Sequence, residues 1–393
     1  MKIFKLKDIS EFIRNGVTIK QDISSKEGIP ITRIETISKG TIDFNKLGYA
    51  NIFKIEKYKE WLLKKGDILI SHINSEKHLG KSAIYLDNNY DIIHGMNLLC
   101  IRAIDKKVFP EYLQLFFKTN QYKKQIKKIT KKSVNQASFS VNDFKEILIT
   151  VPDLNIQEKI IKKIKVLEKI LENNKLKLDY LSELTKSLFT KIFGDIRINN
   201  KNWKIKKIGE VVETQYGTSK KASAEFSNGI PILRMNNIRY SGEMDYEDLK
   251  YIKLDNNEKE KFLLKKGDLL FNRTNSKELV GKTGLFNLDT PMVFAGYLIR
   301  IKPSRQVNSK FLLFFMNSEF MKKVLYNKAK NIVGMANINA KELEDFSIIL
   351  PPIELQNKFA ERVEKIEKLS FEIEKSIKEA ENLYNSLMNK YFE

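Results

Sequence analysis

The chain has 393 residues, with 70 lysines and arginines against 49 aspartates and glutamates, a formal net charge of +21. Apolar residues at 42% and aromatics at 10% exclude a wholly disordered chain, and the length predicts two to three domains. The single Cys100 excludes an internal disulfide framework and a cysteine-based zinc cage, and points to a reducing, cytoplasmic compartment. No apolar run approaches the roughly 18 residues of a membrane span, and Lys2, Lys5, Lys7 and Asp8 interrupt the start, so no membrane partner and no secretory leader is expected. The positive charge suggests a polyanionic partner, most simply nucleic acid. A genome biased toward A and T is a second source of the abundant Lys, Ile and Asn.

In chain order, Lys64–Asp67 reads as a turn feeding a strand over Ile68–Ser71. A further strand is expected over Leu98–Arg102 and a helix over Tyr112–Ile129. The same order then returns. The segment from Leu62 to Tyr85, LLKKGDILISHINSEKHLGKSAIY, matches LLKKGDLLFNRTNSKELVGKTGLF from Leu263 to Phe286 without a gap. IPITRIETI from Ile29 matches IPILRMNNI from Ile230. Strands over Leu269–Asn272 and Leu298–Lys302 and a helix over Phe311–Tyr326 complete the second copy. Such near-constant displacement makes the chain two copies of one α+β unit.

Each copy ends in a segment of another kind. From Pro152 to Gly194, and from Pro352 onward, the chain lacks Gly and Pro, and apolar residues recur at steps of three and four. The first seam is Ile160, Ile164, Leu167, Leu171, Asn174, Leu178, Leu181, Thr185, Leu188 and Ile192. The second is Phe359, Val363, Ile366, Ser370, Ile373, Ile377, Ala380, Tyr384, Leu387 and Tyr391. Two heptad seams in one register predict a coiled coil. Asn174 either sets the register or faces a solvated gap. Because helix one leaves globule one and helix two leaves globule two, pairing must be antiparallel. The expected fold class is therefore α+β, a tandem duplication of a globule plus a long helix, arranged as a pseudo-two-fold dumbbell. The expected segments are 1–152, 153–194, 195–351 and 352–393.

No catalytic signature survives inspection. Lys81 in GKS and Lys282 in GKT resemble the end of a phosphate-binding loop, but Ser75 and Ser276 stand where its first glycine is needed. His72, His78 and His94 become Arg273, Leu279 and Ala295 in the second copy, so they read as surface or loop histidines and not as metal ligands. Asp67 and Asp268 each follow a glycine at a turn and read as structural.

These residues resemble a known family. Two globules, each followed by a long helix with Gln157 or Gln356 near its start, the Pro-x-x-x-x-Gln junctions Pro152–Gln157 and Pro351–Gln356, and the strand entries Gly66–Leu69 and Gly267–Leu270 are similar to the specificity (S) subunits of type I restriction–modification systems. The likeness covers essentially the whole chain. It implies a non-catalytic subunit whose globules each read half of a bipartite, asymmetric target in double-stranded DNA, with the helices fixing the spacer. It also implies two methyltransferase subunits that bring S-adenosylmethionine, and motor–nuclease subunits; this chain itself binds no cofactor and no metal. Alternatives are a methylation-only or other multi-subunit modification system, or, in a different class, a coiled-coil scaffold that binds protein.

If the copies share a scaffold but read different bases, positions that differ inside matched segments are the candidate readers. One cluster is Ser71, His72, Asn74 and Ser75 against Asn272, Arg273 and Asn275. A second is Arg33, Thr36 and Lys39 against Arg234, Asn236, Asn237 and Arg239. A third is Lys131, Lys132, Asn135 and Gln136 against Lys330 and Asn337. Lys81 and Lys282 add charge, and Thr218, Ser219, Lys220 and Lys221 follow Tyr216 in what reads as a mobile basic loop. The alternative for each is a solvated surface loop. Lys162, Lys163, Lys165 and Lys169 belong to the helix exterior, either as a solvated face or as a contact for the methyltransferase.

Overall fold

A computed structural model describes residues 2–392, except 22–25, 88–89, 135, 224–228 and 333–334, and describes only the backbone of 330–332. The chain divides into two compact units, Met1–Lys175 with Glu374–Glu393, and Leu176–Ile373. Each unit holds one globule and half of each long helix, so this division cuts the helices that the sequence reading kept whole.

In unit 1 the central sheet is antiparallel, in the order β2 (Ser10–Asn15), β6 (Leu98–Ala103), β3 (Ile68–Ser71) and β5 (Ser82–Ile84). Its central strands β3 and β6 are apolar at successive positions because both faces are covered. Ile68, Ile70, Leu99 and Ile101 face a core with α1 (Pro110–Phe116), α2 (Asn120–Ile129) and α3 (Val141–Lys145). Leu69, Leu98 and Cys100 face a second core closed by Ile37, Leu63, Tyr85 and Ile92. Gly66 sits at φ +96° where the chain turns into β3, a conformation that a side chain would strain. Asp67 then accepts from the Lys64 backbone N–H at 2.7 Å and grips Arg102 through two bonds of 2.7 Å. β1 (Lys2–Lys5) pairs with β9 (Leu148–Val151), fastening the start of the globule to the strand that precedes the long helix α4 (Leu154–Phe193). A small sheet in the order β4 (Ile73–Asn74), β8 (Ala137–Ser138), β7 (Lys131–Lys132) lies beyond the end of β3.

Unit 2 repeats this plan. β10 (Lys204–Lys207) pairs with β21 (Ser347–Leu350), and the central sheet runs β11 (Val212–Tyr216), β18 (Leu298–Pro303), β14 (Leu269–Asn272), β16 (Thr283–Leu285). The helices are α6 (Ser309–Asn317), α7 (Glu319–Lys328) and α8 (Ala340–Glu344), and α9 (Ile353–Phe392) is the second long helix. The small sheet runs β15 (Thr274–Asn275), β20 (Met335–Asn337), β19 (Lys330–Ile332). Unit 2 adds a sheet in the order β13 (Lys250–Ile252), β12 (Ile230–Leu233), β17 (Val293–Phe294), and a short helix α5 (Asn256–Phe262). Among the described residues, the corresponding part of unit 1 has isolated bridges such as Ile31 with Gly48 in place of that sheet, and a 3-10 helix, Glu56–Trp61, in place of α5.

The helix expected over Tyr112–Ile129 is two helices. Thr119 breaks it: its hydroxyl donates to the Phe116 carbonyl at 2.7 Å and accepts from the Tyr122 N–H at 3.1 Å, starting a new helix. Ser318 does the same between α6 and α7, with bonds to Phe315 and Met321.

Within unit 1, Ile160 and Ile164 of α4 share a core with Met388 and Phe392 of α9, and further along α4 the Asn174 amide donates to Ser376 Oγ at 3.1 Å. As one helix advances the other recedes, so the pairing is antiparallel. Within unit 2, Phe189 and Phe193 pack edge-to-face against Phe359, with ring centroids 5.5 and 5.3 Å apart. Every seam position is buried or half-buried. α4 stops where Gly194 takes φ +81°; Trp203 Nε1 and Lys201 Nζ donate to its last carbonyls.

The Gln at each junction is internal. Gln157 Oε1 accepts from the Phe109 N–H at 2.9 Å, and its Nε2 donates to the Lys107 and Pro152 carbonyls at 3.0 and 2.8 Å. Gln356 binds Asn308, Gln306 and Pro351 in the same way, at 2.8, 3.2 and 2.8 Å. These side chains bolt each long helix to its own globule.

Candidate nucleic-acid interface

The small sheet brings two of the three sequence clusters together in each globule. In unit 1, Ile73 pairs with Ser138 and Asn74 with Ala137, while Lys131 and Lys132 flank them on β7. Residues far apart in sequence thus form one edge, with Ser75, Lys131, Lys132 and Gln136 exposed. Lys132 is ion-paired with Glu76 at 2.9 Å. Asn135 lies outside the described residues, and the side chain of Lys330 is likewise not described. In unit 2, Thr274 pairs with Asn337 and Asn275 with Ala336.

The cluster at Arg33–Lys39 is a 3-10 turn, Ile34–Ile37, beneath the opposite face of the central sheet. Lys81 Nζ donates to the Ser38 carbonyl at 3.0 Å at the end of this turn. Lys282 repeats the contact, donating to the Met235 and Ile238 carbonyls at 3.1 and 2.6 Å, and burial lowers its pKa. The duplicated lysines of GKS and GKT therefore hold a turn against the sheet.

Several expected readers are interior. Thr36, Ser71, His72, Thr218, Asn237, Asn272 and Lys282 are all buried. Thr36 Oγ1 accepts from the Arg33 N–H and donates to the Lys46 carbonyl. Asn237 closes the matching turn through Arg234, Asp245 and Asp248. Ser71 Oγ accepts from the Asn74 amide. Thr36, Asn237 and Ser71 thus shape these turns from within the globules. The basic loop after Tyr216 is anchored: the Thr218 N–H donates to the Phe294 carbonyl at 3.0 Å, its carbonyl accepts from Gly296, and Lys220 pairs with Glu258 at 2.5 Å. Ser219 and Lys221 remain exposed there, as do Lys39 and Asn236 in the turn clusters. His72 and His94 are buried and not on the surface, and burial holds both down to a pKa of about 4.

The arginines differ in their partners. Arg33 pairs with Glu35 at 3.5 Å, Arg234 with Asp248 at 3.0 Å, and Arg239 with Asp245 at 3.2 Å. Arg273 has no carboxylate among the described residues. Its guanidinium lies 4.8 Å from the centroid of the Tyr216 ring, and one nitrogen donates to Asn337 Oδ1 at 3.4 Å. The sequence reading missed a stack in unit 1, Arg14 over Phe12 at 4.2 Å with Trp61 at 5.9 Å. Phe12 and Arg14 stand two apart on one strand, hence on one face, and that spacing was the available signal.

One scaffold used twice, with different polar side chains on matched edges, defines a tandem recognition protein. The chain belongs to the family described as type I restriction modification DNA specificity domain, whose model matches residues 1–180 and 200–381. A Methanocaldococcus jannaschii chain named for a specificity subunit of the type I restriction enzyme MjaX is 32% identical, over 99% of this chain and 92% of that one. The EcoKI specificity subunit of Escherichia coli is 25% identical, over 96% of this chain and 85% of its own length. The crystal structure of a type I restriction-modification S subunit from M. genitalium shares the fold at a TM-score of 0.62 and 13% identity, covering 100% of this chain and 96% of that one. No helix among the described residues is long and apolar enough to cross a membrane.

Proposed function

We propose that the chain is the non-catalytic DNA specificity subunit of a type I restriction–modification complex. Each globule reads one half of a bipartite, asymmetric target in double-stranded DNA, and the paired forty-residue helices set the spacer. Two methyltransferase subunits carrying S-adenosylmethionine, and motor–nuclease subunits, assemble on it in the cytoplasm. The observation that carries the reading is the repetition of one backbone frame with different side chains on its small-sheet edge. A frame duplicated for binding one symmetric ligand would keep its contact residues; here His72 corresponds to Arg273 and Ser138 to Asn337. The net charge of +21 supplies the phosphate-binding component.

Single-molecule sequencing of methylated adenines in the native genome tests this. A two-part motif with unrelated halves and a fixed gap is expected. A palindromic or uninterrupted motif would refute it. Binding to DNA should also weaken steeply with salt; an interaction that salt leaves unchanged favours a protein-binding scaffold.

A further inference from the structure

Three positions that backbone bonding makes equivalent in the two globules differ as a set. Asn15 and Tyr216 each end the first strand of the central sheet, opposite Leu99 and Ile299, and each precedes a glycine whose N–H donates to Leu98 or Leu298. His72 and Arg273 each link the third strand to the small sheet, and their carbonyls accept from the Phe139 and Ile338 N–H groups at 3.2 and 2.9 Å. Ser138 and Asn337 pair with Ile73 and Thr274. Three strands, the first and last more than a hundred residues apart in sequence, bring these positions to one place.

In unit 2 the three side chains form a mount. Tyr216 is 43% exposed, and its hydroxyl accepts from the Ala340 N–H at 2.9 Å, which fixes the ring. Arg273 lies over that ring; stacking on an aromatic face steadies a guanidinium without consuming its N–H donors. Asn337 takes one donor weakly at 3.4 Å and is itself held, its amide donating to Thr274 Oγ1 at 2.8 Å. No carboxylate among the described residues cancels its charge, in contrast to Arg234 and Arg239. A planar fork of spare donors, half-buried and already oriented, matches the paired acceptors O6 and N7 of guanine in the major groove. Holding it in place before binding lowers the ordering cost. In unit 1 the same place holds an asparagine bonded to the following Gly16 N–H, a buried histidine edge-on to Phe139 at 6.2 Å, and a serine. None of these three side chains is a cationic fork.

We infer that Arg273, mounted on Tyr216 and Asn337, reads a guanine in the half-site of unit 2, and that exchange of this triplet for Asn15, His72 and Ser138 helps set the different half-site of unit 1. The inference rests on the proposed DNA-reading role. Arg273 is the base reader; Tyr216 and Asn337 are positioning residues.

Methylated adenines should be sequenced in cells carrying the whole system with R273A, R273K, Y216A or Y216F. R273A is expected to relax one G·C position of one half-site by about 10- to 100-fold while the other half-site stays intact. R273K keeps the charge but not the planar fork, so it should relax the same position; if lysine restores the motif, Arg273 is a phosphate contact and the inference fails. Y216A should relax that position several-fold, and Y216F, which keeps the ring, should relax it less. Thermal melting of each variant separates lost reading from lost folding. If R273A and R273K both melt like the parent and leave the motif unchanged, or relax both halves, the inference is overturned. A parental motif that is not bipartite overturns the proposed function itself.

Discussion

Replacing Gln157 by alanine tests whether the junction glutamines bolt helix to globule. The side chain is fully buried and spends all its bonding on backbone: one N–H, of Phe109, and two carbonyls, of Lys107 and Pro152. Alanine leaves these three groups without partners and opens a small void. An unsatisfied buried group costs roughly 1–3 kcal/mol. The Lys107 carbonyl lies in an exposed stretch and can turn to water, so the sum is about 3 kcal/mol. Q356A removes an equivalent set in unit 2 and should cost about the same. Q157E is the sharper probe. A carboxylate still accepts from Phe109 but has no donor for the two carbonyls, and it buries a charge. Burial raises the folded-state pKa of such an acid above its unfolded value of about 4.3. The excess loss is therefore present at pH 7 and shrinks as the pH falls through the raised value. Denaturant titration at pH 7 and pH 5 reads both effects. The reasoning is wrong if Q157A stays within about 0.5 kcal/mol of the parent, the range of ordinary surface changes, or if Q157E is no worse than Q157A at pH 7.

Arg300 and Asp268 form an ion pair at 2.6 Å with side chains only 3% and 8% exposed. R300M alone should destabilise unit 2 by about 3–5 kcal/mol by stranding the carboxylate, while R300M/D268L should recover much of that in denaturant titration. R102M should likewise destabilise unit 1, because it strands Asp67, whose side chain is only 1% exposed. His94, held to about pKa 4 by burial, contributes stability that is complete above the unfolded value of about 6.5 and is lost as the pH falls toward 4. His94→Gln should remove about 2 kcal/mol of the difference in stability between pH 7 and pH 5; identical acid sensitivity in both proteins would contradict this. Four residues inserted in α4 alone should misalign the shared seam and lower stability. Equal insertions in α4 and α9 should lengthen the spacer of the methylated motif without changing its bases.

The duplication, the two long helices and their antiparallel pairing were legible because they rest on period and displacement, which local sequence carries. The strands after Gly66 and Gly267 were legible for the same reason: a glycine at positive φ punctuates the chain before an apolar run. The division of the globular helices was not. Thr119 and Ser318 act as caps through hydroxyl bonds that interrupt an otherwise continuous apolar spacing. At the candidate interface, pattern comparison picked segments that pair in one small sheet but could not tell an edge side chain from an internal one. Lys282 and Asn237 differ from solvated residues only in what lies around them, and that is decided by β14 and β16 passing over the turn at Met235–Asn237. Arg273 could be distinguished from Arg234 only once each partner was known.

The core of unit 1 includes Met388 and Phe392 beside Ile160 and Ile164, whereas unit 2 is drawn from one continuous stretch. On the ribosome, the first globule to be translated would therefore be the later one to be finished. Its apolar helix face would stay uncovered until the distal residues emerge, so a prematurely terminated polypeptide would carry a sticky, unfinished face that proteolysis can single out.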